Sequence, residues 1–292
     1  MTTTTVLRPG LRFGEAPRWH DGRLWYSDFY DLAVHTLTLD GHDERRFEVP
    51  GQPSGLGWLP DGTLVVSSMT DRRVLRHDGT RLVQHADLGS LAGWWVNDLV
   101  VDRHGRAYVG NFGFDLDAFL AQHGLAGILG DPGPPTTVLC RVDPDGSVTV
   151  AADEMVFPNG AVVTPDGCTL VVAETLAFRL TAFTVAADGS LSERRVWADL
   201  SAHPAAPDGI CLDAEGAVWV ANAMGPECLR VAEGGVVLDT VRTSQPAFAC
   251  ALGGPDLRHL FVMTAPDPTP AHRRVATEGA VEVAVVDVPG VA

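Results

Sequence analysis

Short polar turns followed by apolar triplets recur six times along the 292-residue chain. Five turns pair a polar residue with glycine, and the sixth is the looser stretch 254–256. The five pairs are Asp21-Gly22, Asp61-Gly62, His104-Gly105, Asp166-Gly167 and Glu215-Gly216. The apolar triplets behind the turns occupy residues 24–26, 64–66, 107–109, 170–172, 218–220 and 260–262. Turns of this kind between apolar, β-rich runs are typical of hairpins. The pattern therefore predicts strands along the whole chain.

The turns follow one another at intervals of roughly 40 to 60 residues, with several strands in each unit. This period is typical of propeller blades. We predict an all-β fold, a six-bladed β-propeller that spans residues 1–292 as a single domain. Because an open propeller would leave an unpaired strand edge, we expect residues 6–8 and 281–286 to share one blade and close the ring.

The longest interval between turns contains an insertion at about residues 111–137 that is rich in glycine and proline. Loops of this length in compact domains usually serve as lids or binding loops, or are disordered. We expect a lid over the central channel. Residues 115–123 are the best short candidate for a helix.

Polar residues stand at a constant distance before the turns. Ser54, Asn97, Asn159 and Asp208 each lie seven positions before the first turn residue, and Glu15 lies six before its turn. The first strand of a propeller blade lines the central channel, so these side chains should meet at one mouth of it. Carboxylate and amide oxygens suit a hard divalent cation. The alternative is that the Asn-Gly and Asp-Gly pairs are turn formers.

Composition narrows the function classes. A formal charge of −16 argues against nucleic acid as a partner. All 21 basic residues counted as lysine or arginine are arginine, which excludes lysine-based Schiff-base chemistry and a P-loop. No apolar run is long enough to span a membrane, and the N-terminus does not resemble a signal peptide. The five cysteines lack CxxC spacing, so we expect buried, reduced thiols in a cytoplasmic protein.

Four short segments carry a family resemblance: Gly14-Glu15-Ala16-Pro17, Val96-Asn97-Asp98, Pro158-Asn159-Gly160 and Pro207-Asp208-Gly209-Ile210. In order and spacing they resemble the SMP-30/gluconolactonase/LRE-like family, which includes regucalcin. The resemblance implies a six-bladed propeller with one divalent ion held by Glu15, Asn159 and Asp208. It places Asn97 close to the ion, in contact with substrate or water. It also implies hydrolysis of lactones, or of phosphorus esters as in some relatives.

The chain departs from this family beside Asn97. Members that act on sugar lactones commonly have arginine two residues before that asparagine, whereas this chain has Trp95, preceded by Trp94. An indole offers an apolar face and a single donor in place of a guanidinium fork. With Phe112 and Phe114 in the insertion, this favours a hydrophobic or aromatic lactone. We assign Trp95, Phe112, Phe114 and Ser54 to substrate binding and expect Trp94 to pack in the core.

The resulting hypothesis is a metal-dependent lactonase in which metal-activated water attacks the lactone carbonyl. Asp208 would act as a general base as well as a metal ligand, and Asn97 would orient water or carbonyl. Ca²⁺ is the expected ion, and Mg²⁺, Mn²⁺ and Zn²⁺ also accept such ligands. Two alternatives stay open: hydrolysis of a phosphotriester or another activated ester, and a non-catalytic cation-binding propeller. Whether His20 or His203 reaches the channel is also open.

Overall fold

The computed structural model describes residues 2–291, and its strands form six small sheets arranged as a six-bladed β-propeller. This confirms the predicted architecture. Each apolar triplet of the repeat lies in the second strand of a blade. The innermost strand of each blade contacts the innermost strand of the next, and the sixth returns to the first.

Five of the six blades use four consecutive strands, running from the axis outward. Strands β1 (Thr2–Thr3) and β2 (Thr5–Leu11) precede them and join blades 5 and 6. Blade 1 contains β3 (Gly14–His20), β4 (Arg23–Asp28), β5 (Ala33–Leu37) and β6 (Asp43–Glu48). Blade 2 contains β7 (Pro53–Trp58), β8 (Leu64–Ser68), β9 (Arg73–His77) and β10 (Leu82–Asp87). Blade 3 contains β11 (Val96–Val101), β12 (Ala107–Asn111), β13 (Thr137–Val142) and β14 (Val148–Met155).

The second half of the ring follows the same plan until its last blade. Blade 4 contains β15 (Pro158–Val163), β16 (Thr169–Glu174), β17 (Arg179–Val185) and β18 (Leu191–Asp199). Blade 5 contains β19 (Pro207–Leu212), β20 (Val218–Asn222), β21 (Glu227–Val231) and β22 (Val237–Arg242). Blade 6 contains β23 (Ala247–Gly253), β24 (His259–Thr264) and β25 (Gly279–Val285), with β2 as its outermost strand.

The two ends of the chain close the ring. Strand β2 pairs antiparallel with β25, with Thr5 opposite Val283 and Leu11 opposite Gly279. The expectation that the segments around residues 6–8 and 281–286 share one blade is confirmed. Strand β1 adds a short parallel edge to β22 in the neighbouring blade. The N-terminal segment therefore bridges blades 5 and 6 as well as completing the ring.

The apolar core is divided among the joints between blades. Six clusters of buried apolar side chains each connect two adjacent blades around the ring. Burial of apolar area at every joint favours the closed ring, because an open ring would expose two such faces to water. A seventh cluster lies away from these joints, around Phe13, Phe29, Met69 and Phe248.

Helices are few and lie between strands. Helix α1 (Leu116–Leu129) follows β12 inside the insertion, and it is kinked at Gly124. It includes most of the predicted helical stretch 115–123 and continues beyond it. Helix α2 (Pro270–Arg273) lies between β24 and β25, and a 3₁₀ turn covers Thr175–Ala177. Within residues 2–291, none of the helices combines the length and the apolarity that a membrane crossing requires.

The cysteines are free thiols in the described part of the chain. Cys140, Cys228 and Cys250 are buried as expected, whereas Cys168 is exposed and Cys211 is half-buried. The expectation of five buried thiols is therefore wrong for Cys168, which follows the hairpin turn Asp166-Gly167 at the end of its blade.

Candidate active site

The residue in the second position of each inner strand faces one end of the central channel. These residues are Glu15, Ser54, Asn97, Asn159, Asp208 and Phe248. In all six blades the pairing with the second strand slips by one residue just after this position. A bulge of this kind adds a residue to one strand and redirects its side chains. The repeated spacing in the sequence therefore corresponds to a bulge that recurs in the inner strand of every blade.

The glycines that follow the site residues serve close packing of the inner strands. A Cβ atom on Gly160 would lie 2.6 Å from the carbonyl oxygen of Asp208, and one on Gly209 would lie 2.6 Å from Cβ of Ala249. Both glycines are inside strands, and neither has a positive φ. The alternative that the pairs Asn159-Gly160 and Asp208-Gly209 form turns is therefore wrong.

This packing makes a stability prediction. Gly160→Ala is expected to lower the free energy of unfolding by about 1–3 kcal/mol, because backbone atoms of the next blade must move to admit the methyl group. Gly89→Ala is the matched control, since its added methyl would meet side-chain atoms and no backbone, the nearest being an oxygen of Asp87 at 3.0 Å. Urea denaturation of both variants measures the difference. Equal stability of the two would contradict the packing role of Gly160.

A cavity of about 430 Å³ opens at this end of the channel. Seven of the eight predicted site residues line it: Glu15, Ser54, Trp95, Asn97, Phe112, Asn159 and Asp208. Phe114 is absent from the wall, although it stands edge-on to Phe119 at a ring-centroid distance of 5.2 Å. Phe114 therefore packs against Phe119 of the insertion and does not face the cavity. His20 and His203 are also absent from the wall, because His20 lies at the far end of β3 and His203 is exposed in a loop.

Two carboxyl groups at the floor of the cavity are buried. Glu15 is 6% exposed and Asp208 is 7% exposed. Burial raises the pKa of both carboxyls well above the ordinary range. The charge of Asp98 raises both pKa values further, and that of Asp208 also raises the pKa of Glu15. Two buried like charges are costly unless a cation compensates them.

Several polar atoms beside these carboxyls have no hydrogen-bond partner within the described residues. They are Oδ1 of Asp208 and both side-chain atoms, Oδ1 and Nδ2, of Asn97. Asn159 donates its Nδ2 to Oγ1 of Thr175 at 3.2 Å, which leaves its Oδ1 available to a cation. Buried polar groups are normally satisfied. These unpaired atoms therefore mark a place for a bound cation, water or substrate.

The donor set fits a hard divalent cation. Glu15, Asp208 and Asn159 supply two carboxylates and an amide oxygen, the ligand type that Ca²⁺ and Mg²⁺ prefer. In residues 2–291 no group of three or more His, Cys, Asp or Glu side chains is arranged to hold a metal. The proposed set depends on its asparagine, and a thiolate or imidazole zinc centre is not formed by these residues.

An ion pair that the sequence did not predict lies next to the site. Arg18 of β3 crosses to β11, where its Nη2 atom lies 2.8 Å from Oδ1 of Asp98 and donates to the carbonyl of Leu99 at 2.8 Å. Because Asp98 occupies it, Arg18 does not form a salt bridge with Glu15 or Asp208. In the sequence, the only sign of this ion pair was Asp98, the acidic residue directly after Asn97.

The walls of the cavity are largely aromatic. Trp95 lies 6.0 Å from Trp94 in a stacked arrangement and 6.2 Å from Phe112, between ring centroids. Trp94 also lines the cavity, so the expectation that it packs in the core is wrong. Phe13 and Phe248 form the facing wall at 4.7 Å. The spacing of the first repeat, six residues before the turn, could have found Phe248, which occupies in blade 6 the position that Asp208 has in blade 5.

The insertion covers one side of the cavity. Asp115 caps helix α1, because its Oδ1 accepts a hydrogen bond from the amide of Ala118 at 3.0 Å. Leu116 and Leu120, from the first turns of the helix, contribute to the cavity wall. The cap therefore fixes the start of the helix where the chain passes the mouth of the channel.

Comparisons with known proteins identify the family and support the fold. Residues 13–266 match the family described as SMP-30/Gluconolactonase/LRE-like region. Pentonolactonase XacC from Haloferax volcanii is 28% identical over 276 residues, which cover 91% of this chain and 86% of that protein. Regucalcin from Danio rerio is 30% identical over 273 residues, covering 89% and 85%. The fold resembles that of a calcium-binding protein, regucalcin, from Agrobacterium tumefaciens, with a TM-score of 0.80, 22% identity and coverage of 99% and 96%.

Proposed function

Because this chain belongs to the SMP-30/gluconolactonase/LRE-like family, we propose that it is a lactonase whose substrate occupies the aromatic cavity above Glu15 and Asp208. The observation that carries the proposal is the pair of buried carboxyls with unpaired polar atoms beside them. The relative named as a pentonolactonase supports lactone hydrolysis as the reaction type. The substrate is a small molecule, and we propose that the protein acts in the cytoplasm.

Glu15, Asn159 and Asp208 would hold one divalent cation, with Ca²⁺ as the first candidate because all three offer oxygen ligands. When bound, the cation would supply Lewis acidity to the lactone carbonyl. The related protein titled calcium-binding supports this choice. Glu15 would contribute charge and Asn159 a neutral oxygen, which keeps the donor set from carrying three negative charges.

Asp208 would act as the general base. Its Oδ1 has no hydrogen-bond partner among residues 2–291, so it can accept a proton from the attacking water. The water oxygen adds to the lactone carbonyl carbon, and the ring C–O bond then breaks. The departing alkoxide oxygen takes the proton from Asp208, which yields the open hydroxy acid. The Nδ2 group of Asn97 would donate to the carbonyl oxygen as negative charge develops there.

The walls favour a hydrophobic or aromatic lactone over a sugar lactone. The cavity is lined by Trp94, Trp95, Phe112, Phe13 and Phe248, and burial of apolar substrate surface against them favours binding. Ser54, which is 1% exposed, is the remaining polar residue of the ring. Hydroxyl groups of a polyhydroxylated lactone that lie against these aromatic side chains would lose water without replacement hydrogen bonds.

A substrate panel tests this proposal. Metal-stripped protein is reconstituted with Ca²⁺, Mg²⁺, Mn²⁺ or Zn²⁺ and assayed with dihydrocoumarin, an aliphatic δ-lactone, gluconolactone and an activated phosphotriester. We expect dihydrocoumarin to give the highest kcat/KM and the stripped protein to be inactive. Gluconolactone as the best substrate would reject the hydrophobic preference. A lack of turnover with every compound and metal would favour the non-catalytic cation-binding alternative.

Trp95→Arg extends the same test. Replacing the indole face with a guanidinium should lower kcat/KM for dihydrocoumarin by about 10- to 100-fold, the range expected when a pocket loses complementary apolar contact. Trp95→Phe is the control. Its kcat/KM should stay within about threefold of that of the unaltered protein, because it keeps an aromatic ring next to Phe112. An unchanged kcat/KM in Trp95→Arg would place Trp95 outside substrate recognition.

A further inference from the structure

A buried threonine hydroxyl joins the two blades that supply Asn159 and Asp208. Thr175 directly follows β16 of blade 4 and begins the 3₁₀ turn, and it lines the cavity although it is only 8% exposed. Its Oγ1 donates a hydrogen bond to the carbonyl of Pro207 at 2.8 Å and accepts one from Nδ2 of Asn159 at 3.2 Å. Pro207 directly precedes Asp208 in β19. One hydroxyl therefore contacts a proposed cation ligand and the residue next to another.

The direction of these two hydrogen bonds follows from the available protons. A threonine hydroxyl carries one proton, and a backbone carbonyl can only accept. When that proton is donated to Pro207, the hydroxyl offers only lone pairs to Asn159. The atom of Asn159 that faces Thr175 must then be the amide nitrogen, and the side-chain oxygen is the atom left for a cation. The carbonyl of Pro207 thus fixes the orientation of the Asn159 amide through Thr175.

The hydroxyl itself is held in place by its backbone. The amide of Thr175 donates to the carbonyl of Phe157 at 3.2 Å. Glu174, the preceding residue, is completely buried, and its carboxylate accepts hydrogen bonds from Arg179 at 2.9 Å and from the amide of Val156 at 2.7 Å. A site whose supporting residues are already fixed has less to order when a ligand binds. Thr175 therefore offers a rigid partner to Asn159.

Two other hydroxyls form the same kind of link between neighbouring blades. Ser27 of β4 donates to the carbonyl of Ser54 at 2.6 Å, and Ser67 of β8 donates to the carbonyl of Asn97 at 2.5 Å. Both serines are completely buried, and neither lines the cavity. A hydrogen bond to a carbonyl of the next blade is therefore a recurring feature of the fold. Thr175 differs from these serines because its hydroxyl also accepts the amide of a proposed cation ligand.

A bound cation would make the Asn159 amide depend more strongly on Thr175. Burial and the charge of Asp98 raise the pKa of Asp208, and a hydrogen bond from Asn159 acts in the opposite direction. The carboxyl of Asp208 is therefore a second acceptor for Asn159 in the absence of a cation. A cation held by Asp208 would compete with this hydrogen bond. Loss of the Thr175 hydroxyl should then cost the cation-bound form more than the metal-free form, because a buried amide group without a partner is unfavourable.

We propose that Thr175 is a positioning residue of the cation site, whose hydroxyl keeps the amide of Asn159 in the orientation that offers Oδ1 to the cation. This inference rests on the proposed function, in which Glu15, Asn159 and Asp208 hold the cation, and it adds a residue outside that set. Thr175 acts through Asn159 and does not itself bind the cation. Its role is therefore measured by cation affinity.

Thr175→Val tests the proposal, because valine has nearly the shape of threonine and lacks the hydroxyl. Calorimetric titration with Ca²⁺ should show a Kd raised by about 10- to 100-fold, the range associated with loss of a residue that supports a metal ligand. Thr175→Ala should show the same rise, whereas Thr175→Ser keeps the hydroxyl and should stay within about threefold of the unaltered protein. An unchanged Kd in the two variants that lack the hydroxyl, or an equal rise in Thr175→Ser, would overturn the proposal.

Ser27→Ala is the matched control, because it removes the same kind of buried hydrogen bond between blades. Without metal, Ser27→Ala and Thr175→Val should both have a lower Tm than the unaltered protein, since each leaves a carbonyl without its hydroxyl partner. The Ca²⁺ Kd of Ser27→Ala should nevertheless stay within about threefold of the unaltered value. If its Kd rises as much as that of Thr175→Val, loosening of any joint between blades weakens the site, and the specific role of Thr175 is rejected.

Asn159→Asp shows whether Thr175 acts through the amide. A carboxylate has two oxygens and needs no fixed orientation to offer one of them to a cation. Adding Thr175→Val to Asn159→Asp should therefore change the Ca²⁺ Kd by less than about threefold, since the two changes are coupled through one contact. An effect as large as in the protein that retains Asn159 would mean that Thr175 does not act by orienting the amide.

The same measurements separate this inference from the proposed function. A raised Kd in Thr175→Val and Thr175→Ala supports the role of Thr175 even if no lactone is hydrolysed, in which case only the lactonase assignment fails. Equal Ca²⁺ binding by Thr175→Val and the unaltered protein rejects the role of Thr175 and leaves the cation site intact. If the unaltered protein binds none of Ca²⁺, Mg²⁺, Mn²⁺ and Zn²⁺, the cation site and the role of Thr175 are both rejected.

Discussion

Asp208→Asn is expected to lower kcat by about 10²- to 10⁴-fold, the range associated with a general base. The amide keeps the shape of the side chain and an oxygen that can bind the cation, the role proposed for Asn159 in blade 4. It cannot accept a proton from water. The variant therefore separates proton transfer from cation binding, which the removal of the whole side chain would not do.

The measurement is kcat with dihydrocoumarin at saturating Ca²⁺, together with a Ca²⁺ titration of the same protein by calorimetry. Ser54→Ala is the matched control, because Ser54 occupies the equivalent position of blade 2 and lines the same cavity. The kcat of Ser54→Ala should stay within about tenfold of that of the unaltered protein, because this variant keeps Asp208, the proposed general base. If Asp208→Asn binds Ca²⁺ and keeps a kcat near that of the unaltered protein, another group must be the general base.

Glu15→Gln is expected to lower the affinity for the divalent cation by at least about 100-fold. Loss of a partner that only supports a metal ligand already costs about 10- to 100-fold, and this change removes one of two ligand charges. The unaltered protein should gain about 2.7 kcal/mol of stability when the free cation is 100 times its Kd. The variant should show almost no thermal stabilisation at that concentration.

The pH dependence of the metal-free protein has a definite sign. The pKa values of Glu15 and Asp208 are raised in the folded state, chiefly by burial. Their contribution to stability is therefore full below the ordinary carboxyl pKa and is lost as the pH rises through the raised folded values. Glu15→Gln should lessen this loss, so that the metal-free variant has a higher Tm than the metal-free unaltered protein near neutral pH.

Glu174→Gln provides the opposite case at a second buried carboxylate. Burial alone would raise the pKa of Glu174, but hydrogen bonds from Arg179 and Thr181 outweigh it and lower the pKa. Its contribution to stability is present above the ordinary carboxyl pKa and is lost as the pH falls, so Glu174→Gln should lower Tm at neutral pH. If both variants change Tm in the same direction without metal, the electrostatic account of Glu15 is wrong.

Most of the fold could be predicted because it depends on local patterns. Each blade repeats a hairpin turn and an apolar triplet, and the closure by β2 and β25 follows from the need to pair the last edge strand. The length of α1 was harder to predict from the sequence. Residues 124–129 include glycines, which sequence propensity assigns against a helix, yet the helix continues beyond its kink at Gly124.

The site could be predicted only in part. Asn97, Asn159 and Asp208 lie seven residues before their turns and Glu15 six before its turn, and the same bulge recurs in every inner strand. Arg18 and Asp98 lack such a signal, since their contact joins β3 to β11 across the channel. Phe114 is the opposite case, a residue that was predicted to bind substrate but does not line the cavity. It lies close to Phe112 in sequence, yet only Phe112 is part of the cavity wall.

The sequence by itself determined the repeat, the number of blades and the level at which the polar side chains gather, because these depend on spacing within one blade. The tertiary structure decided which side chains share the cavity. It brought Phe13 and Phe248 opposite Trp94 and Trp95, and paired Arg18 with Asp98 rather than with Glu15. Contacts between blades depend on how the ring closes in three dimensions, and spacing along the chain does not record them.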